Sequence, residues 1–174
     1  MERRTFANPA INDSATFIKT SAETEGEYTL IEIDLGKSDG PPLHYHNAFS
    51  ETFEVREGVL YLQAGKEKRK LNIGESFTVP VGTPHRFYNE VDNRVKFHIT
   101  LQPGHTGMEN FIKIIYGLAS DVSLIKRENL QTFHTSRLPC KYQIQIHQAG
   151  CHYFLPLFVV QPNELKKMEL KNGY

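Results

Sequence analysis

Short segments in which apolar and polar residues alternate follow one another from residue 28 to residue 101, separated by turns that contain glycine and proline. A period of two residues is typical of a strand with one buried face. About seven such segments at this spacing predict an all-β fold, a sandwich or a barrel. The chain of 174 residues is long enough to bury a core of this kind. The alternating segments are residues 28–35, 50–57, 59–65, 67–73, 77–80, 85–89 and 94–101.

The phase of the alternation places two ionisable residues on apolar faces. Glu51 shares a face with Phe53 and Val55, and His85 shares one with Phe87. A carboxylate on an inward face costs free energy unless it is paired or bound to a metal ion. These two residues are therefore candidates for a buried site.

Two more histidines stand just before this segment. His44 and His46 are two residues apart, so on an extended strand both side chains point to the same side. The prolines at 41–42 favour an extended backbone leading into His44. Three imidazoles and one carboxylate are the ligands that a borderline divalent transition metal prefers. We therefore predict a metal site formed by His44, His46, Glu51 and His85.

The residues around these ligands resemble the two sequence motifs of the cupin superfamily. The first motif is HxH, four residues, Glu, six residues, Gly; the second is Gly, five residues, Pro-x-Gly, two residues, His, three residues, Asn. The positions are filled here by His44, His46, Glu51 and Gly58, and by Gly74, Pro80, Gly82, His85 and Asn89.

One position departs from the first motif. In the family, the first motif opens with a glycine six residues before the first histidine, and this chain has Ser38 there. Gly36 and Gly40 flank Ser38, so we expect the turn to have shifted. The resemblance covers roughly residues 28–103 and implies a single-domain cupin of the type 2 conserved-barrel kind, a jelly-roll (double-stranded β-helix) barrel. It also implies one bound metal ion, with Fe(II), Mn(II), Ni(II), Zn(II) and Cu(II) all compatible with nitrogen and oxygen donors.

We expect the chain to have three parts: an N-terminal arm (1–27) with one short strand near 15–19, the barrel (28–103) and a C-terminal helical or irregular extension packed on it (104–174). In the extension, Thr106 and Glu109 read as a capping box that begins a helix. Its apolar stripe is Met108, Phe111, Ile112, Ile115 and Leu118. Later predictions are a helix at 124–133, a strand at 142–148, an apolar run at 151–160 that docks on the barrel or forms a dimer contact, and a final helix after Pro162.

Composition narrows the classes of partner. The 20 basic and 20 acidic residues balance, which gives no electrostatic reason to expect nucleic acid or an anionic membrane. The start has no apolar signal segment, and no run of eighteen apolar residues occurs. Cys140 and Cys151 make no disulfide framework. We expect a cytoplasmic homodimer whose partner is a small-molecule ligand or substrate.

The ligand set indicates three kinds of function. Four protein ligands on an octahedral metal leave two positions for water, substrate or dioxygen. The leading hypothesis is a metal-dependent enzyme, an oxidoreductase of dioxygenase type acting on a small oxygenated molecule, with Glu51 as a candidate proton shuttle. The alternatives are a non-enzymatic module that binds a small molecule or sugar, and a metal-assisted isomerase. Strand parity suggests four substrate contacts: Phe53, Tyr61, Gln63 and Phe87.

Overall fold

The computed structural model describes residues 3–129 and 151–152, with residues 122–129 and 151–152 described as backbone only. Within these residues the chain forms eleven strands, one short 3-10 turn and one α-helix. The strands are β1 (Thr5–Asn8), β2 (Asp13–Lys19), β3 (Thr29–Leu35), β4 (Tyr45–His46), β5 (Ser50–Glu57), β6 (Leu60–Ala64), β7 (Glu67–Leu71), β8 (Ser76–Val79), β9 (His85–Tyr88), β10 (Val95–Gln102) and β11 (Cys151–His152), the 3-10 turn is Ala22–Thr24, and the helix is α1 (Thr106–Asn129).

Two antiparallel sheets enclose the core. The larger has the strand order β1-β2-β3-β10-β5-β8, and the smaller has the order β7-β6-β9. Aromatic side chains join them: the ring of Phe87 on β9 lies 6.0 Å from Phe53 on β5 and 5.2 Å from Phe97 on β10. Burying each such ring contributes roughly 1.5–3 kcal/mol. The prediction of an all-β jelly-roll barrel is confirmed.

The alternation seen in the sequence sets which side chains enter the barrel. On β10, Ile99 is buried and pairs with Ile31 of β3 and Phe53 of β5, so three central strands contribute one layer of the core. His98, the next residue back along β10, faces outward, as its position in the alternation predicts.

The N-terminal residues form strands as well. β1 and β2 pair antiparallel, and β2 pairs with β3, so two strands stand where the sequence suggested a single short one. Ala15 and Phe17 of β2 are buried in the same core as the barrel residues. The added strands cover the edge of β3, whose unpaired backbone groups would otherwise face solvent.

Helix α1 begins one residue away from its predicted cap. His105 is the N-cap: the Met108 N–H donates to His105 Nδ1 (2.9 Å) and the Glu109 N–H donates to its carbonyl oxygen (3.2 Å). The predicted capping box with Thr106 is therefore wrong.

The Glu109 side chain makes other contacts. It is buried and accepts hydrogen bonds from the Ser21 N–H (2.6 Å) and the Thr29 hydroxyl (2.7 Å). A side chain held by these two donors ties the helix to the start of β3, and this tertiary contact outweighs the local cap.

The rest of α1 packs only partly as predicted. Met108, Ile112 and Tyr116 are buried against the barrel, whereas Leu118, which belongs to the predicted stripe, is exposed. The helix runs without a break to Asn129, so residues 124–129 belong to α1 and not to a second helix.

The remaining C-terminal predictions fall almost entirely outside the described residues. These are the end of the predicted helix at 130–133, the strand at 142–148, the apolar run beyond residue 152 and the helix after 162. The exception is β11, which pairs antiparallel with β4, with Cys151 opposite His46. In the described part of the chain, no helix has both the length and the apolar character needed to cross a membrane.

Candidate metal centre

A tight segment delivers His44 to the barrel. Ser38 and Asn89 exchange two backbone hydrogen bonds (3.0 and 2.9 Å). Two residues later Gly40 adopts a positive φ of 67°, and a Cβ there would lie 1.8 Å from the Phe87 carbonyl oxygen. Only glycine fits so close to a neighbouring backbone. The glycine that the turn requires has thus moved to position 40, which explains how Ser38 is accommodated.

The same segment then pairs two of the predicted ligands. His44 and His85 exchange backbone hydrogen bonds of 3.0 and 2.7 Å, so the two residues lie directly opposite each other. Asn89 closes the end of β9: its side-chain amide donates to the carbonyls of Leu35 (3.3 Å) and Asn93 (2.8 Å). The backbone therefore fixes the relative positions of these ligands before any side chain is considered.

All four predicted ligands converge. Each of His44, His46, Glu51 and His85 offers one donor atom, and these atoms lie within 4.8 Å of one another. All four residues are buried, with at most 4% of their surface exposed. The structure therefore brings the four residues of the predicted metal site together.

Two of the histidines have their tautomer set by the backbone. His44 Nδ1 lies 2.7 Å from the Pro42 carbonyl oxygen, and His85 Nδ1 lies 2.9 Å from that of Thr83. A carbonyl oxygen only accepts, so in both rings Nδ1 carries the proton and Nε2 is left for a ligand or a second proton. This is the arrangement by which proteins orient imidazoles toward a metal.

Glu51 is the electrostatic centre of the cluster. Its Oε2 lies 2.8 Å from His85 Nε2 and its Oε1 lies 3.2 Å from His46 Nε2. Burial raises the pKa of Glu51, but the close imidazoles of His46 and His85 together lower it by more, so the pKa lies far below its usual value. Glu51 is therefore ionised.

The pKa values of His44 and His85 shift in opposite directions. Burial and the neighbouring His85 lower the pKa of His44 to about 4, so His44 is neutral near pH 7. Burial lowers the pKa of His85 as well, but the Glu51 carboxylate raises it more, and the net shift is upward. The cluster thus favours one positive charge next to Glu51, which a proton or a metal ion can supply. Three imidazole nitrogens and a carboxylate fit a divalent transition metal.

The predicted substrate contacts divide into two pairs. Phe53 and Phe87 lie inside the barrel, and the Phe53 ring is 6.1 Å from that of His85. The other pair, Tyr61 and Gln63, is not brought to the cluster.

The register of β6 explains the difference. Leu62 pairs with Phe87 and points inward with it, so Tyr61 and Gln63 lie on the outer face. There the Gln63 side-chain oxygen accepts a hydrogen bond from Arg86 Nε (3.1 Å). The prediction that strand parity turns Tyr61 and Gln63 toward the substrate is therefore wrong.

Two residues beside the cluster were not predicted. Phe49 is buried and its ring stacks on His46 with centroids 4.5 Å apart and an interplanar angle of 27°. The ring of His105, the N-cap of α1, lies 5.0 Å from that of Phe49. Phe49 stands between two ligands in the sequence, which is a local signal. His105 is distant in sequence and gives none.

Sequence comparison agrees with the geometry. The family profile described as "Cupin domain" matches residues 29–107, the region that contains all four clustered residues. Residues 29–107 are therefore a cupin domain. The family match ends shortly after the first residues of α1, so it covers the barrel from β3 onward.

Two relatives of this cupin have names that refer to redox chemistry. The epoxidase atD of Aspergillus terreus is 30% identical over 130 residues, which cover 71% of this chain and 38% of that protein. The probable oxidoreductase virH of Hypocrea virens is 29% identical over 127 residues, covering 65% of this chain and 58% of that protein. The chain thus spans about four- to six-tenths of the length of these relatives.

Solved structures share the fold of this cupin. An RmlC-like cupin from Shewanella frigidimarina superimposes with a TM-score of 0.51 at 17% identity, covering 59% of this chain and 86% of that one. KdgF from a Halomonas species gives 0.50 at 15% identity, covering 56% and 84%. At these identities the similarity extends to the fold alone.

Proposed function

We propose that this cupin binds one divalent transition metal ion through His44, His46, Glu51 and His85 and acts as a metal-dependent oxidoreductase on a small oxygenated molecule. The observation that carries the proposal is the convergence of four buried donors within 4.8 Å. Such a group is costly to bury without a cation, because an ionised carboxylate in the protein interior needs compensating charge.

The chain's own residues would prepare the site. The carbonyls of Pro42 and Thr83 hold Nδ1 of His44 and His85, which leaves Nε2 of each directed at the centre. Glu51 contributes the negative charge. When bound, the metal supplies Lewis acidity and, if it is redox-active, a place for substrate and dioxygen to meet.

Proton movement would fall to Glu51. A carboxylate has two oxygens, so Glu51 could hold the metal through one of them and accept a proton from the substrate through the other. In the described part of the chain, no further carboxylate or thiol belongs to the cluster. We therefore assign Glu51 as the proton shuttle, with Phe53 and Phe87 as apolar walls on the core side of the site.

The names of the two relatives support a redox reaction. An epoxidase aligns with 71% of this chain and a probable oxidoreductase with 65%. We propose dioxygenase-type chemistry, with dioxygen as co-substrate and a diketone or catechol as the class of substrate that can chelate a metal with two open positions. The donor set does not choose among Fe, Mn, Ni, Zn and Cu.

The first test is elemental analysis of the purified protein. About one transition metal per chain is expected, with loss in the double variant His44→Ala/His46→Ala. His98→Ala is the matched control, because His98 lies on the outer face of β10 and should leave the metal content unchanged. A wild-type protein that holds no transition metal, even after reconstitution, would rule out the proposal.

The second test separates the chemistries. Oxygen consumption with candidate diketones and catechols, dependent on the metal and abolished in His85→Ala, is the expected result. Conversion of a sugar or keto acid without oxygen uptake would indicate a metal-assisted isomerase instead. Saturable ligand binding without turnover would indicate a binding module.

A further inference from the structure

Phe49 is in contact with the candidate metal centre without offering a donor atom. It is almost completely buried, and its ring packs against the His46 imidazole at 4.5 Å in a nearly parallel arrangement. Phe49 also lies between His46 and Glu51 in the sequence, at the entrance to β5. A ring in this position restricts rotation of the imidazole about its Cβ–Cγ bond.

His105 connects Phe49 to helix α1. Its ring centroid is 5.0 Å from that of Phe49, and its Nδ1 accepts the Met108 N–H at the start of α1. Because Nδ1 acts as an acceptor, the cap fixes the plane of the His105 ring as well as the first turn of the helix. The start of α1, Phe49 and His46 thus form one continuous line of contacts.

We propose that Phe49 is a positioning residue for the metal centre and that His105 supports it from the start of α1. The inference rests on the proposed metal site. The Phe49 ring packs against the His46 imidazole and limits its rotation, so that Nε2 stays directed at the centre, 3.2 Å from Glu51 Oε1. Substituting a residue that orients a metal ligand through a hydrogen bond typically lowers metal affinity about 10- to 100-fold, and we take the lower end of this range for the packed ring of Phe49.

The first experiment compares Phe49→Leu with Phe17→Leu, using Co²⁺ as the probe ion. Phe17 is an equally buried aromatic residue of the same core, on β2, and its ring contacts are with Phe6 and Lys113. We expect Phe49→Leu to weaken Co²⁺ binding by about tenfold and to change the visible absorption of bound Co²⁺. Phe17→Leu should lower the melting temperature of the metal-free protein but keep wild-type Co²⁺ affinity and absorption.

The second experiment separates the ring of His105 from its capping role. His105→Asn keeps a capping side chain but removes the ring, whereas His105→Phe keeps a ring but removes the cap. We expect His105→Asn to weaken Co²⁺ binding by a few-fold with little change in melting temperature. His105→Phe should lower the melting temperature and leave Co²⁺ affinity near that of wild type.

The outcomes distinguish this inference from the proposal on which it rests. Wild-type protein that fails to bind Co²⁺ overturns both. Wild-type binding that is matched by Phe49→Leu, or weakened equally by Phe49→Leu and Phe17→Leu, overturns the positioning role and leaves the metal site intact. If the two His105 variants show the reverse of the expected results, the link to α1 is wrong and only the role of Phe49 stands.

Discussion

Glu51 and Asp13 are both buried carboxylates on strands of the six-stranded sheet, yet their environments act in opposite directions. The pKa of Glu51 lies far below its usual value, whereas burial raises the pKa of Asp13 to about 7. Asp13 accepts a hydrogen bond from the Tyr116 hydroxyl through Oδ2 (2.6 Å), and its Oδ1 has no hydrogen-bond partner among the described residues. The charge of Arg94 also lowers the pKa of Asp13, by less than the Tyr116 hydrogen bond does.

The difference lies in the number of donors and in where they point. Two imidazoles converge on Glu51, and a third lies beside them. Asp13 has one phenol, supplied by the helix, and so serves as a tie between β2 and α1. A buried acid alone therefore does not indicate a metal site; the convergence of further ligands does.

The largest effect should come from removing the charge of Asp13. A carboxyl whose pKa is raised on folding stabilises the native state fully below its unfolded value of 3.8, and this contribution disappears as pH rises to about 7. Asp13→Asn should therefore gain stability over wild type between pH 4 and pH 8, by at most about 4 kcal/mol. Urea unfolding of both proteins at several pH values measures this; parallel stability curves would contradict it.

Removing the charge of Glu51 should weaken metal binding. Glu51→Gln keeps the shape of the side chain but removes the anion, and we expect metal affinity to fall by more than about a hundredfold. Competition with a chromophoric chelator measures the affinity. Asp13→Asn is the matched control and should bind metal like wild type, since Asp13 is not part of the four-residue cluster.

A smaller effect is expected from Tyr116→Phe. The hydrogen bond from Tyr116 lowers the pKa of Asp13, so its loss should raise that pKa and extend the fall of stability to higher pH. The variant should also lose about 1–2 kcal/mol at neutral pH. Double-mutant analysis with Asp13→Asn should show the two changes to be non-additive; additivity would mean that the hydroxyl stabilises the helix through another contact.

The smallest effect should come from His98→Ala. His98 lies on the outer face, 3.5 Å from Glu32, and such exposed pairs contribute little. We expect a change in unfolding free energy below about 0.5 kcal/mol and unchanged metal content. A loss of metal in this variant would mean that His98 belongs to the metal site.

What the sequence could predict depended on how local the signal was. Glu51 and His85 were identified because each lies in phase with buried apolar residues of its own strand. Tyr61 and Gln63 were misplaced because the phase of β6 is set by its pairing with β9 and cannot be read across the turn at Gly58.

The prediction for the start of α1 was wrong for a related reason. Thr106 and Glu109 match the local signature of a cap, but Ser21 and Thr29, far away in the sequence, bind the Glu109 carboxylate. His105 then caps the helix and reaches Phe49. Contacts between distant segments decide these positions, and single-sequence patterns do not contain them.

The near-complete burial of the four donors also bears on how an ion reaches them. With at most 4% of each residue exposed, the four donors have little contact with solvent. Opening the site between His44 and β9 would break the two backbone hydrogen bonds that His44 exchanges with His85. We therefore expect uptake to be slow once the chain has folded. The ion found after purification would then record what was available during folding, and not the order of equilibrium affinities.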